Sequence, residues 1–415
     1  MRLFQNIRTF ESLALREYRL LWLGQLSTSM GQWLDQVARG WLVYDLTHSP
    51  LQLGLVGASR GLPILLFGTI AGVVADRHGR KAQLIIAQSV NAALNLVLAL
   101  LILTGHVELW HIYATGVLAG TVQAFQQPAR QVLISDLVGE KQLLNAISLN
   151  SAALNVSRSV GPAIGGLLIH AFGVDVSYFA QAALFILATI WTVQIRIPHV
   201  AASIYTRASA DGSLFHSLKE GFAYIASHHL ILALIVLGMA PITLGMPFVS
   251  LMPIFAIDVF HGGAQTQGLL LTMVGIGAVA GALLIASLGR NQGSGKLLVI
   301  GAAGFGLSLA LFAQSPTISI ALAFTFLAGF FNSSYTTQNQ TIIQTLVPPP
   351  LRGRVLGIYM LDRGLMPLGS LLAGALATWL GGPWAVTIMG AACFLLVVTI
   401  SLFRRDLWKI NLASE

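Results

Sequence analysis

The stretch GVVADRHGRK, Gly72 to Lys81, sets one acid, three fixed cations and a turn glycine between two apolar runs. The run before it extends from Leu51 to Ala75, broken only by Gln52, Ser59-Arg60 and Thr69; the run after it extends from Ala82 to Leu103. A polar interval this short cannot be a domain. It reads as a tight loop between two membrane helices, the glycine turning the chain and the cations holding the loop on the cytoplasmic side. An ordinary basic loop accounts for the charges but not for Asp76 or the glycine spacing.

The composition agrees. Of 415 residues, 55% are hydrophobic and only 9% charged, against roughly 25% charged in a soluble domain. A crossing plus a short loop takes ~30–35 residues, so the chain has room for about twelve. The expected spans are 19–45, 50–75, 82–104, 110–134, 145–171, 176–196, 229–258, 266–288, 297–313, 317–345, 356–380 and 384–403. Of the 23 Lys and Arg, all but Arg39, Arg60, Arg158 and Arg363 then fall in the N-terminus, in alternate loops or in the C-terminal tail, and the intervening loops hold none. Arg130 counts here with the loop cations. This separation puts both termini in the cytoplasm by the positive-inside rule. It also makes the formal charge of +8 a topological signal and not a nucleic-acid footprint. The lone Cys393 allows no intramolecular disulfide, and no cleavable signal is expected in the basic, mixed N-terminus.

Residues 198–228 are the one long polar interval. They divide the chain into a cytoplasmic N-terminus (1–18), a six-helix bundle (19–197), a cytoplasmic linker (198–228), a second six-helix bundle (229–403) and a tail (404–415). Within the linker, Leu214, Phe215, Leu218, Phe222 and Ile225 recur at roughly helical spacing. That pattern fits a surface amphipathic helix and equally a plain extension of the next span. The halves look like a repeat: laying Leu118-Ala119-Gly120 on Leu327-Ala328-Gly329 also brings Gln131 onto Gln340, Leu137-Val138 onto Leu346-Val347 and Gly165 onto Gly374. Parallel six-span repeats with a site between them are a transporter architecture.

Gly72, Asp76, Arg77, Gly79, Arg80 and Lys81 match Gly-x-x-x-Asp-Arg-x-Gly-Arg-Lys/Arg, which resembles the loop signature of the major facilitator superfamily. The resemblance implies an all-α membrane protein of twelve transmembrane helices in two six-helix bundles. It further implies that Asp76 and Arg80 help latch the cytoplasmic side. Gly161, Pro162, Gly165 and Gly166, in SVGPAIGGLL, resemble the fifth-span motif of exporters that exchange substrate for protons; generic glycine packing is the alternative. One departure is Ser157, where that motif has a glycine. QAFQQPARQVLISDLV and LLNAISLN resemble the subgroup of bacterial macrolide and enterobactin exporters. Proton-coupled members of the superfamily often carry an arginine in span four, where this chain offers His111 near the outer end.

Ionisable groups within spans are candidates for function. Gln25, Ser29, Gln32, Gln36 and Arg39 make a polar stripe on the first span with Asp35 beside it, and Asp35 and Arg39 are spaced to pair. At ~1.5 Å per residue Asp35 lies near mid-membrane, as do Arg60 and Arg158. A shared aqueous cavity explains the common depth; a structural ion pair between packed helices is the plainer reading. Gln123, Gln126, Gln127 and Arg130 in span four, with Asn155 in span five, and Asn332, Tyr335, Thr336 and Asn339 in span ten suit either a substrate passage or helix–helix hydrogen bonding. Asp362 and Arg363 are gate candidates or snorkelling groups, and Pro241, Pro247 and Pro253 would kink span seven. GASRG (Gly57–Gly61) fits a Gly-x-Ser-x-Gly nucleophile pattern, but the required strand–turn–helix context is missing. His228-His229 is too sparse for a metal site, and no phosphate-cradling sequence suggests ATP as the energy source.

The function expected from the resemblance is not enzymatic. It is a secondary active, proton-coupled exporter of a drug-like or siderophore-like small molecule, working by alternating access in a bacterial plasma (inner) membrane. Asp35 would carry the proton, the proton gradient would take the place of any cofactor, and a monomer is the family default. An uptake symporter and an uncoupled or lipid-type facilitator share the fold and stay open. A non-transporting membrane sensor or enzyme would need an effector domain or catalytic cluster, and the sequence shows neither.

Overall fold

The computed structural model describes residues 10–77, 79–196, 214–288, 293–359 and 364–411. Among these residues the secondary structure is helical throughout, with no strand. The first apolar runs become α1 (Arg16–Thr47), α2 (Pro50–Arg77) and α3 (Arg80–Leu103). Gly79 precedes α3 as its N-cap, in the turn the signature glycine was expected to make. Next comes α4 (Leu109–Phe172), which is two helical arms broken at Gly139 (φ 66°, ψ 174°). That φ is left-handed and costs a side chain, so glycine fits there. The interval 135–144, expected as a loop, is thus mostly helical. His111 has a local task at the start of α4: its Nδ1 accepts the Glu108 N–H at 3.0 Å, completing a capping box.

After α5 (Val174–Gln194) comes α6 (Leu214–Ser227). It is a helix of its own, because His228 (φ −113°, ψ 89°) interrupts the winding before α7 (His229–Ala240). Its Gly221 lies against Arg354 and Ile358, and Glu220 pairs with Arg354. The three prolines expected to kink span seven coincide with changes of helical winding. Past α7 the chain takes a π turn from Pro241, a 3-10 stretch Met246–Leu251, the single turn α8 (Met252–Ile254) and a second π stretch Phe255–Val259. Each proline lacks an N–H donor, so regular α bonding fails there and the wider or tighter windings take over. The remaining helices are α9 (Ala264–Leu288), α10 (Ser294–Ala313), α11 (Ile318–Leu346), α12 (Pro349–Tyr359), α13 (Met366–Leu380) and α14 (Gly382–Phe403).

Nine helices among the described residues are long and apolar enough to cross a membrane. The other three expected crossings are also largely helical: the polar α1, the first arm of α4, and α12 with α13 on either side of residues outside the description.

The chain separates into two compact units, one of Met1–Arg39 with Pro63–Ala210 and one of Gly40–Leu62 with Asp211–Glu415. In the first, Tyr18, Leu21, Leu84, Ala129, Leu133, Ala146 and Leu149 form a buried cluster. The Tyr18 hydroxyl donates to the Ala146 carbonyl at 2.6 Å and the Trp22 indole to Leu149 at 2.8 Å, tying α1 to the second arm of α4. In the second unit α9 and α11 touch backbone to backbone: a methyl on Gly277, Gly281 or Gly329 would strike a carbonyl oxygen of Phe326, Phe330 or Val274 respectively. Small residues of this kind let helices gain dispersion energy where lipid removes the hydrophobic drive between them.

Candidate functional site

In the first unit the polar stripe of α1 divides into two parts. Gln25 and Ser29 are buried and bonded to each other at 2.5 Å, whereas Gln32 and Gln36 are half-buried. Beside them Asp35 and Arg39 are 5% and 6% exposed. Arg39 Nη2 donates to Asp35 Oδ1 at 3.0 Å, and Nε reaches both carboxylate oxygens at 3.2 Å. Its Nη1 donates to the Ile112 carbonyl at 2.9 Å and the Thr115 hydroxyl at 3.1 Å, both in α4. The i,i+4 pair is therefore also a clamp between helices, and its charges are offset by hydrogen bonds as burial demands.

Along the first arm of α4, Gln123 is half-buried, Gln127 exposed and Gln126 buried. Arg130 is a correction. It is no loop cation but an interior group, 3% exposed, so span four does contain an arginine besides His111. With the Gln88 amide turned to donate to the Ala188 carbonyl at 3.2 Å, its oxygen accepts from Arg130 Nη2 at 3.3 Å. The positive-inside count misplaced Arg130 because it reads distance from a helix end and not the neighbours that bury a side chain.

The second arm of α4 presents Ser157, Gly161 and Gly165 to α1. The Ser157 hydroxyl lies 3.4 Å from the Leu26 carbonyl. A methyl on Gly161 would come within 2.6 Å of Trp33 Cβ, and one on Gly165 within 3.4 Å of Leu34 Cα. Pro162 and Gly166 are buried beside them. The glycine motif is thus a packing face, and Ser157 continues it with a short side chain. Asn155 is exposed and bonds within its own helix, and half-buried Arg158 places its guanidinium carbon 6.0 Å from the Trp33 ring centre.

At the loop signature, Gly72, Asp76 and Arg77 lie in the last turns of α2. Arg80 pairs with Asp136 of α4 at 2.6 Å. The Lys81 ammonium donates to the carbonyls of Val193 and Ile195, each at 2.7 Å, at the end of α5. Two signature cations therefore fasten α3 to α4 and α5. The gate candidates Asp362 and Arg363 lie outside the described residues.

In the second unit Asn332, Tyr335 and Asn339 are buried. The Asn339 amide donates to the Leu234 carbonyl of α7 at 3.1 Å and the Asn332 amide lies 3.4 Å from Met246 Sδ. Tyr335 stacks on Phe305, while Thr336 is half-buried. These contacts are helix–helix bonding. Half-buried Arg60 belongs to this unit. The Gly-x-Ser-x-Gly pattern is absorbed by packing: Gly57 and Gly61 abut Ser370 and Pro367, and the Ser59 hydroxyl donates to its own helix at Val56. Three groups went unremarked as site residues: Trp33; Asp136, inside the quoted ISDLV piece; and Asp258, which accepts a hydrogen bond from the Tyr44 hydroxyl.

The sequence model of a family described as transmembrane secretion effector matches residues 7–414. The staphyloferrin A transporter of Staphylococcus aureus is 28% identical over 389 residues, 93% of this chain and 96% of the relative. The multidrug efflux pump Tap of Mycolicibacterium fortuitum is 27% identical over 95% of this chain and 97% of its own length. The enterobactin exporter EntS of Citrobacter koseri is 25% identical over 94% and 93%. The crystal structure of the nucleoside transporter NupG superposes with a TM-score of 0.75 at 15% identity, covering 95% of this chain and all of that one (100%); that likeness concerns the fold alone.

Proposed function

The chain belongs to the transmembrane secretion effector family of major facilitator superfamily transporters, it is no enzyme, and from that premise we propose a proton-coupled exporter of a drug-like or siderophore-like small molecule. Twelve crossings with both termini in the cytoplasm would form two six-helix bundles, set as a monomer in a bacterial plasma membrane. The bundles would expose a midplane site to one side at a time. Asp35 would take and release the proton, while Gln32, Gln36, Arg39, Arg60, Gln123, Gln127, Asn155, Arg158 and Thr336 would shape the passage. Asp76 with Arg80, and Asp362 with Arg363, would restrain the cytoplasmic side.

One observation carries this reading: an acid within the apolar length of α1, 5% exposed and paired with a fixed cation, Arg39, of the same helix. A carboxyl there changes its balance of desolvation and pairing whenever its surroundings open to water. Relatives named as efflux pumps and exporters over nearly the whole length support the direction of transport.

A second reading draws on the same pair. Arg39 spends every nitrogen on Asp35 or α4, which suits a permanent clamp in an uncoupled facilitator. Acidified everted vesicles separate the two. Drugs, siderophores and lipid-like anions are added in turn while the lumenal pH is followed. Proton release by one compound in the wild type and none in Asp35→Asn supports the exporter. Equal transport by both chains, without proton release, supports the facilitator and ends the coupling role of Asp35.

A further inference from the structure

We propose that the tail after α14, residues 404–411, forms with the start of α10 a docking surface for the headgroup of an anionic phospholipid. The inference goes beyond transport and uses only the crossing of a bilayer by α14. That helix is apolar from Gly382 to Phe403 and long enough to span, so Arg404 and the residues after it emerge at a headgroup layer. Leu402 and Phe403, in its last turn, are exposed.

The tail is bound in place. It makes the single turn Leu407–Lys409, whose Leu407 side chain is fully buried. The Trp408 indole donates back to the Ser401 carbonyl of α14 at 3.1 Å. On the other side the Gly295 N–H donates to the Ile410 carbonyl at 3.2 Å, and a methyl on Gly295 would strike the Leu407 carbonyl oxygen. This docking gathers Lys296, Arg404, Arg405 and Lys409 around one turn, with Asp406 as the acid among them. Asp406 lies 4.0 Å from Arg404. Lys296, Arg405 and Lys409 are exposed and have no ion-pair partner among the described residues.

The positive-inside rule accounts for cations on this side of the membrane but not for a tail fastened so as to group them. The negative end of α14 favours Arg404 and Arg405. It does not help Lys296, which stands in the first turn of α10, where a helix's own dipole disfavours a cation. Grouped like charges repel, and an anion relieves that repulsion. The surroundings select which anion: Leu402 and Phe403 offer contact to acyl chains, and Trp408 supplies an indole of the kind that sits at headgroup level. A free phosphate would use the cations alone, and a zwitterionic lipid brings a cation of its own.

The test is native mass spectrometry of the purified full-length chain in neutral detergent, titrated with phosphatidylglycerol, phosphatidylcholine and glycerol 3-phosphate. Each cation near an anionic headgroup contributes about fivefold in affinity, so phosphatidylglycerol should bind saturably and at least about tenfold tighter than phosphatidylcholine. The triple variant Lys296→Gln/Arg405→Gln/Lys409→Gln should lose that preference, and Arg16→Gln/Arg19→Gln, near the other terminus, should keep it. Leu407→Asp retains all four cations but cannot stay buried, so it should lose the preference as well. Equal binding of the two lipids by the wild type, a preference that survives in the triple variant or in Leu407→Asp, or displacement of the lipid by equimolar glycerol 3-phosphate would overturn the proposal. If Leu407→Asp does not fold, the triple variant decides, since its three side chains are exposed. No substrate or gradient takes part, so failure of the export reading leaves this result untouched.

Discussion

Arg80 and Asp136 form an ion pair at 2.6 Å with only 14% and 5% of their side chains exposed, so the loop signature is anchored inside one compact unit. Asp136 Oδ1 has no hydrogen-bond partner among the described residues, which leaves the carboxylate dependent on Arg80. Removing the cation strands a buried charge, and such losses run to about 3–5 kcal/mol. Arg80→Gln should therefore lower the apparent melting temperature in detergent more than the double variant Arg80→Gln/Asp136→Asn. A double-mutant cycle by thermal denaturation measures this, and additive effects would show the pair to be idle.

The clamp of Arg39 makes a related prediction with a functional readout. Arg39→Met leaves Asp35 charged in a site 5% exposed and should cost about 3–5 kcal/mol. Arg39→Met with Asp35→Leu should recover much of that stability, since two apolar groups need no partner. Transport by this double variant separates the roles: a coupled exporter loses proton release even when the fold is restored. A clamp alone regains transport with its stability.

On α4, Ser157→Gly should be mild, below about 1 kcal/mol, because the hydroxyl contact with Leu26 is a long 3.4 Å and a neutral bond contributes about that much. Gly161→Val should be severe, since its first side-chain carbon already meets Trp33 Cβ at 2.6 Å. Thermal melts of the two variants should rank in that order. Reversal would mean that α1 and α4 do not pack through this face.

How much of this was legible in the sequence depends on the kind of physics involved. Spans and their punctuation were visible because the bilayer imposes length, and because Pro241, Pro247 and Pro253 cannot complete helical bonding. The turn at Gly79 and the close face of Gly161 and Gly165 followed from residue type and spacing. Partners far apart along the chain were not visible. Spacing places Asn339 on a face of α11 but cannot say that the face meets the Leu234 carbonyl, 105 positions away. The break at Gly139 was hidden because the residues around it are good helix formers, so a loop and a one-residue interruption read alike. Arg130 was misplaced for the same reason as Asn339: what buries it is Gln88 on another helix.

Arg130 is a cation buried without a carboxylate partner among the described residues. It is 3% exposed, its contact with Gln88 is a single bond at 3.3 Å, and its Nη1 has no hydrogen-bond partner among the described residues. Replacing a buried charge by an apolar side chain of similar volume is often neutral or stabilising by about 1–4 kcal/mol. Arg130→Met should accordingly leave the melting temperature unchanged or raise it. If the cation serves transport, the same variant should lose substrate flux in vesicles despite its intact fold, and Arg130→Lys should restore part of it. A Met variant that is both stable and fully active would reduce Arg130 to a tolerated interior charge; one that melts early would make Gln88 and its neighbours a structural node that needs the guanidinium.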